Sequence, residues 1–305
     1  MKTSLLIILL FITTFTAAAQ IDMTDSTAQV ISYWEKEDKE IYSVTYDKIK
    51  LNGDDTTSRV STTYDVEITV INATDTSYTI QWDYKNFDFS NVDATDKKLL
   101  SLSKDMKVIY ATDEFGSFVE VVNWKEIRNY MMKGIDILKD DIRVHDAQEK
   151  ILQQVELTFS TKEAIEAIAI KDIQQFHNFH GGKYKLGELV EGSMQLPNVI
   201  GKEPFDVEVT ISLDEINTEN YDFLLTSTQS VNKDQLTNAT YEYLVAMADL
   251  IKETPPKRDD LKDLTNKSLT TSRINDIGWI IYSLQTTTVT SDSSTIIEIR
   301  RIELN

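Results

Sequence analysis

The sequence predicts an α+β protein: a curved antiparallel β-sheet of half-barrel type, covered by a central helical segment. Three observations carry this expectation. Apolar and polar residues alternate with period two on both sides of the chain's middle, as at Tyr42, Val44 and Tyr46 or at Tyr78, Ile80, Trp82 and Tyr84. Between the alternating stretches, apolar residues recur every three or four positions from Trp124 to about Phe176, the spacing of a helical stripe. Turn residues punctuate the strands, most clearly Asn52-Gly53, which tolerates the positive φ angles of a two-residue hairpin. An antiparallel sheet with one apolar face has to bury it, and the helical middle is the available cover.

Taken in order, residues 20–40 read as acidic and irregular, with a short helix around Tyr33-Trp34. A strand from Ile41 to Leu51 meets Asn52-Gly53 and returns over Ser58 to Ile71. Residues 72–76 turn the chain into the Tyr78–Tyr84 strand, and Asp96–Leu102 reads as a short helix. Lys107–Ala111 and Ser117–Val122 form a hairpin across Asp113–Gly116. Helices follow at Trp124–Lys139 and Val144–Leu157. Ser160-Thr161-Lys162-Glu163 reads as a capping box opening a helix with Ile165, Ile168, Ile173 and Phe176 along one stripe, closed by Gly181-Gly182. Strands resume at Tyr184, with a loop at Pro197–Gly201 and further strands at Phe205–Leu213 and Tyr221–Ser227. Asp234–Ile251 is a helix, Pro255-Pro256 a break, and Asp259–Leu264 a helical turn. The chain closes on an antiparallel pair, Gly278–Thr290 returning through Ile296, Glu298, Arg300 and Ile302. Residues 41–305 are expected to form a single domain with halves 41–182 and 183–305. Tyr64–Val70 resembles Phe205–Ile211 position by position, which either an internal duplication or convergent alternation explains.

The opening residues read as an address. Lys2 precedes an apolar run from Leu5 to Phe15, then Ala17-Ala18-Ala19-Gln20, which is the pattern of a secretory signal peptide, 1–19, cleaved near Ala19. Cleavage takes Lys2 away, so the mature chain is more acidic than the −19 of the full sequence, where 50 carboxylates face 31 cations. No later stretch is long and apolar enough for a transmembrane helix, so the mature chain is expected in the periplasm or outside the cell. So acidic a surface disfavours nucleic acid, whose phosphates need a basic footprint.

The sequence holds no cysteine, which excludes disulfides, thiolate metal sites and a cysteine nucleophile. It has 9 glycines, few for a phosphate-cradling loop, and no Walker A or Gly-x-Gly-x-x-Gly motif. No Gly-x-Ser-x-Gly is present, and Ser101–Lys104 fits Ser-x-x-Lys without its companion motifs. His177 and His180 stand three apart, a spacing that lets two imidazoles reach one metal, but no third or fourth ligand accompanies them and a helix C-terminus favours histidine anyway. The expectation is no metal, no cofactor and no catalytic residue. Carboxylate pairs such as Asp54-Asp55 and Asp259-Asp260 keep an acidic hydrolase open as an alternative. The aromatic residues of the first sheet are either core or the lining of a ligand face. If they line a ligand face, Tyr64, Tyr78, Trp82, Tyr84 and Trp124 are the candidates to bind it.

The signal peptide ending Ala-Ala-Ala-Gln, the segment Tyr110–Phe118 leading to Asn123-Trp124, and the Leu196-Pro197-Asn198 loop resemble uncharacterised exported proteins of Bacteroidota-type bacteria. The order of strands and helices is also similar to the LolA-like half-barrel carriers of lipoproteins and lipids. That resemblance implies an apolar cavity between sheet and helices, and maps no functional residue. The expected function is a non-enzymatic envelope protein that binds a hydrophobic or amphipathic ligand such as a lipid. The alternative is an envelope interaction module with a filled core and a protein partner.

Overall fold

The computed structural model describes residues 20–88, 106–141, 146–201, 203–292 and 294–305. The expected signal peptide and the Asp96–Leu102 helix lie outside them. The chain runs β1 (Ile21–Asp22), β2 (Thr27–Gln29), β3 (Lys39–Asn52), β4 (Asp55–Thr74), β5 (Ser77–Asp88), β6 (Lys107–Asp113) and β7 (Phe118–Val121). Four helices follow: α1 (Trp124–Asp141), α2 (Asp146–Thr158), α3 (Lys162–Ile168) and α4 (Lys171–Phe176). Then come β8 (Lys183–Lys185), β9 (Leu189–Leu196), β10 (Phe205–Asn217), β11 (Asp222–Val231), α5 (Lys233–Ile251), a 3₁₀ turn (Arg258–Leu261), β12 (Thr265–Asn275), β13 (Ile280–Thr290) and β14 (Ser294–Leu304).

An open sheet of 11 strands runs β7-β6-β5-β4-β3-β14-β13-β12-β11-β10-β9, and a small second sheet joins β1, β2 and β8. Every strand pair of the large sheet is antiparallel. The expectation of an antiparallel sheet under helices holds, and the sheet is not closed. The repeated heptads fall on β4 and β10.

Backbone hydrogen bonds require the sheet to be rolled. Ser32 N–H donates to the Phe115 carbonyl in the β6–β7 turn (3.1 Å), and Tyr33 N–H donates to the Ile277 carbonyl in the β12–β13 turn (3.2 Å). The strands β6 and β13 stand five places apart in the sheet order. On a flat sheet that is about 24 Å. Two consecutive residues reach only about 4 Å along the chain, so the two turns are brought together by curvature and the N-terminal segment ties them.

Residues 20–38 hold the short strands β1 and β2 and are otherwise without regular secondary structure, yet they are fixed in place. Trp34 is buried and its ring stacks on Trp279, with centroids 4.5 Å apart. The expected helix at Tyr33-Trp34 is replaced by chain without regular secondary structure, because the Ser32 and Tyr33 N–H groups bond to the two turns. Gly278, with φ +86°, makes the close approach possible: a Cβ there would lie 2.5 Å from the Ile31 carbonyl oxygen.

The helix after Ser160 also departs from expectation. Thr161 is its N-cap, extended at φ −113° and ψ 159°, and its hydroxyl accepts from the Ala164 N–H. Ser160 instead donates its hydroxyl to the Leu157 carbonyl. The helix breaks between Ile168 and Lys171, which buries Ile170 and sets α4 as a separate short helix against β13 and β14. One face of α4 is wholly inside, with Asp172, Ile173, Gln175 and Phe176 buried. The rolled sheet thus wraps around α4.

Candidate functional site

Two halves of the sheet's inner face differ in chemistry. On β3–β6 it is aromatic and aliphatic: Tyr42, Val44, Val66, Ile68, Ile80, Trp82, Val108 and Tyr110 are fully buried. Phe176 of α4 meets Tyr42 and Trp82 edge-on at 5.5 and 5.7 Å. This half is filled. On β11–β13 the inward positions are apolar at one end, at Phe223, Leu225, Ile274 and Ile280, and hydroxyl or amide side chains over much of the rest. Ser272 donates to Ser283 (2.8 Å), and Gln285 Nε2 donates to Thr270 Oγ1 (3.0 Å). Ser268 and Thr287 share a hydrogen bond of 2.8 Å.

These side chains leave space between the sheet and the end of α4. What remains is a chamber of about 540 Å³, within the range of small-ligand sites. One part of its wall is apolar, with Met194, Leu196, Pro197, Val209, Ile211 and Val231 from β9–β11 and the loop after β9. The opposite part is polar: Gln229, Ser268, Gln285 and Thr287 from the sheet, Gln175 and Asn178 from α4 and its end.

Charges sit at the polar end and face one another. Arg300 Nε lies 2.5 Å from Asp172 Oδ1, and both are nearly buried. Burial, the largest single influence, opposes the charge on Arg300, but Asp172 together with Tyr64, Tyr46 and Tyr84 outweighs it, so the guanidinium stays protonated more firmly than usual. Tyr64 donates its hydroxyl to Asp172 Oδ2 (2.5 Å), and burial followed by the Asp172 charge pushes that phenol well up. Glu298 lies 2.8 Å from Lys48 and 3.8 Å from Lys171. Burial works to raise its carboxyl, yet the lysines and the Tyr46 hydroxyl hold it below the ordinary range. Neither carboxylate stands free to act as a general acid or base.

Gln175 is the key side chain of the polar wall. It is 1 % exposed. Its Nε2 donates to Ser283 Oγ (2.9 Å) and more weakly to the Arg300 carbonyl (3.3 Å), which settles the amide's orientation because a carbonyl can only accept. Its Oε1 has no hydrogen-bond partner. Asn178 accepts from Gln229 at 3.5 Å, while its own Nδ2 has no partner. A buried amide oxygen left unsatisfied costs free energy until something donates to it.

The five aromatic residues expected at a ligand face are dispersed. Tyr64 and Tyr84 border a recess of about 200 Å³ with Phe87, Asp172 and Arg300. Trp82 is fully buried in the filled half. Tyr78 packs on Trp34 and donates to the Ser32 carbonyl (2.7 Å) at the tied end. Trp124 begins α1, with Lys125 and Arg128 over its ring at 5.7 and 5.9 Å. None of the five lines the larger chamber.

His177 and His180 are both buried, with ring centroids 5.0 Å apart. His177 Nδ1–H donates to the Gly116 carbonyl (2.7 Å), so its Nε2 accepts from the Tyr110 hydroxyl (2.9 Å). His180 Nε2–H donates to the Gly278 carbonyl (2.9 Å). Each imidazole therefore anchors one of the two tied turns. No third His, Asp or Glu completes a metal-binding group among the described residues.

The sequence reading missed the chamber wall because it missed β12. Thr265–Asn275 has almost no apolar alternation, since its inward positions are Ser268, Thr270 and Ser272. The available signal was period-two placement of hydroxyl residues in a Thr-rich stretch, matched by Ser283, Gln285 and Thr287 on β13.

No protein-family model and no curated protein matches the chain. Among solved structures, the chain is similar to one described as "Lipid-protein interactions in lipovitellin", at 10 % sequence identity and a TM-score of 0.40. The match covers 89 % of this chain and 25 % of that one, so the chain spans about a quarter of that protein's length.

Proposed function

We propose that this protein is an exported, non-enzymatic binding protein of the bacterial envelope whose chamber holds an amphipathic small molecule. The observation that supports it most is the two-sided lining of the 540 Å³ chamber, apolar along Met194, Leu196, Val209 and Ile211 and polar along Gln175, Ser268 and Thr287. An apolar chain against the first wall releases water from both surfaces, and a polar group against the second completes hydrogen bonds. Export is supported by the leader pattern of residues 1–19. The half-barrel resemblance agrees with a carrier role. Of the five aromatic candidates, Tyr64 and Tyr84 stand nearest the charged end of the chamber, sharing their recess with Arg300.

The test is native mass spectrometry of the mature chain, stripped of lipid in denaturant, refolded, and offered fatty acids, phospholipids and alkyl glycosides. Retention of at least one class is expected, together with its loss in Val209→Arg, which places a charge on the apolar wall. A protein that retains none of them refutes the reading.

A further inference from the structure

The wall of the chamber also selects among polar groups. We propose that the polar end of the ligand is a neutral, hydroxyl-rich group of the sugar type rather than a carboxylate or a phosphate. This rests on the amphipathic-ligand reading above and goes beyond it by naming the head-group class.

The charges of the chamber are committed to one another. Arg300 faces Asp172 at 2.5 Å, and Lys171 and Lys48 face Glu298 at 3.8 and 2.8 Å. An anionic head seeking Arg300 has to compete with a carboxylate that is itself nearly buried, and displacing it leaves Asp172 short of a counter-charge. A carboxylate or phosphate dianion also only accepts hydrogen bonds.

What is left uncommitted asks for both roles. Gln175 Oε1, on a side chain 1 % exposed, needs a donor, and Asn178 Nδ2 needs an acceptor. Both residues line the same chamber. Between them and around them stand Ser227, Ser268 and Thr287, whose hydroxyls can rotate to give or take a proton. Both atoms are closed off from solvent, so the two amides turn to meet a ligand; one carrying several hydroxyls on a rigid ring supplies the donor and the acceptor together, without breaking an ion pair. The hydroxyl pair Ser268–Thr287, which lines the chamber, supplies the adaptable partners that such a ring needs.

The experiment is isothermal titration of the delipidated mature chain with octyl glucoside, octanoate and octyl phosphate, each below its micelle-forming concentration. The three share an apolar chain and differ only in the head. Octyl glucoside is expected to bind about tenfold or more tightly than either anion, the equivalent of one to two well-made hydrogen bonds. Gln175→Leu is expected to lose about tenfold for the glucoside and little for the anions. Asn178→Ala, on a half-buried side chain, gives the same comparison should Gln175→Leu fail to fold. Octanoate or octyl phosphate binding as tightly as the glucoside overturns the head-group inference and leaves the amphipathic-ligand reading standing. Failure of all three to bind overturns both.

Discussion

Mild acid should loosen this protein before the lysine-paired carboxylates Glu67 and Glu298 titrate. The groups responsible are His177 and His180, buried side by side behind Trp34 and bonded to the carbonyls of Gly116 and Gly278. Burial depresses both imidazoles: His177 well below its ordinary value, with His180 beside it adding to the effect, and His180 to about 4. Above about pH 6.5 the rings are neutral in folded and unfolded chains alike and contribute no pH dependence. Below it the unfolded chain takes up a proton on each ring and the folded chain does not, so stability falls with pH. The loss from His180 stops growing only below about pH 4, where the folded ring also protonates. At pH 5 the cost from His180 is about 2 kcal/mol, and His177 adds to it in the same direction. A protonated His177 would also turn an N–H toward the Tyr110 hydroxyl that now donates to it.

Carboxylates act in a lower window. Glu67 is held below its ordinary value by Lys39 and Lys85, and Glu298 by its lysines against the opposing effect of burial. Their contribution is present above about pH 4.5 and fades as pH falls through their folded values. The assay is urea unfolding at several pH values from about 7 to about 5. Tryptophan emission is a direct reporter, since the Trp34 ring lies 6.0 Å from His177 and 5.7 Å from His180. A free energy of unfolding that stays constant across that range refutes the reasoning. So does a His177→Gln, His180→Gln double variant that keeps the full slope.

Two further outcomes follow from the same geometry. Gly278→Ala is expected to destabilise by at least about 2 kcal/mol in urea melts, because a left-handed φ is compounded by a Cβ 2.5 Å from the Ile31 carbonyl oxygen. Gly53→Ala, with φ +58° and open space around it, should cost only about 1 kcal/mol, which separates backbone strain from crowding. The double variant Ser268→Ala, Thr287→Val removes both partners of one chamber hydrogen bond. Its stability should change by less than about 1 kcal/mol while affinity for octyl glucoside drops, and a large loss of stability with unchanged affinity would assign the pair to folding.

Most strands were legible because one side of each carried apolar residues at period two. Tyr78, Ile80, Trp82 and Tyr84 announced β5, and Asn52-Gly53 announced the β3–β4 hairpin. Three features were not legible. The path of residues 30–34 depends on carbonyls of Phe115 and Ile277, far away in sequence, and no local pattern encodes that. The break between α3 and α4 interrupts a continuous apolar stripe, because Ile170 is buried by leaving the helix rather than by staying in it. β12 hid because hydrophobic periodicity finds strands that build core, and this one lines a chamber. For the same reason the aromatic strands read as a ligand face, although their side chains are large enough to fill their own half of the sheet. The two histidines were visible as a pair, but their partners are backbone carbonyls on two separate turns.

The inner face of the sheet divides its labour, and the division argues for a ligand. Each large side chain buried on β3–β6, such as Trp82, Tyr42 and Tyr110, contributes on the order of 2–3 kcal/mol through burial. The buried hydroxyls of Ser272, Ser283 and Thr270 contribute at most about 1 kcal/mol each through hydrogen bonds that merely replace those to water. The backbone ladder of β11–β13 would form equally well with Val or Ile at those positions, and β-branched apolar residues would pack against α4 and close the space. Stability alone therefore gives no reason for the polar wall, the unfilled volume or the unpartnered Gln175 oxygen. The proposed ligand would occupy the volume and lie against the polar wall. The filled half of the sheet and the histidine-anchored turns hold the curvature, so the other half is free to carry the polar side chains that the proposed ligand would meet.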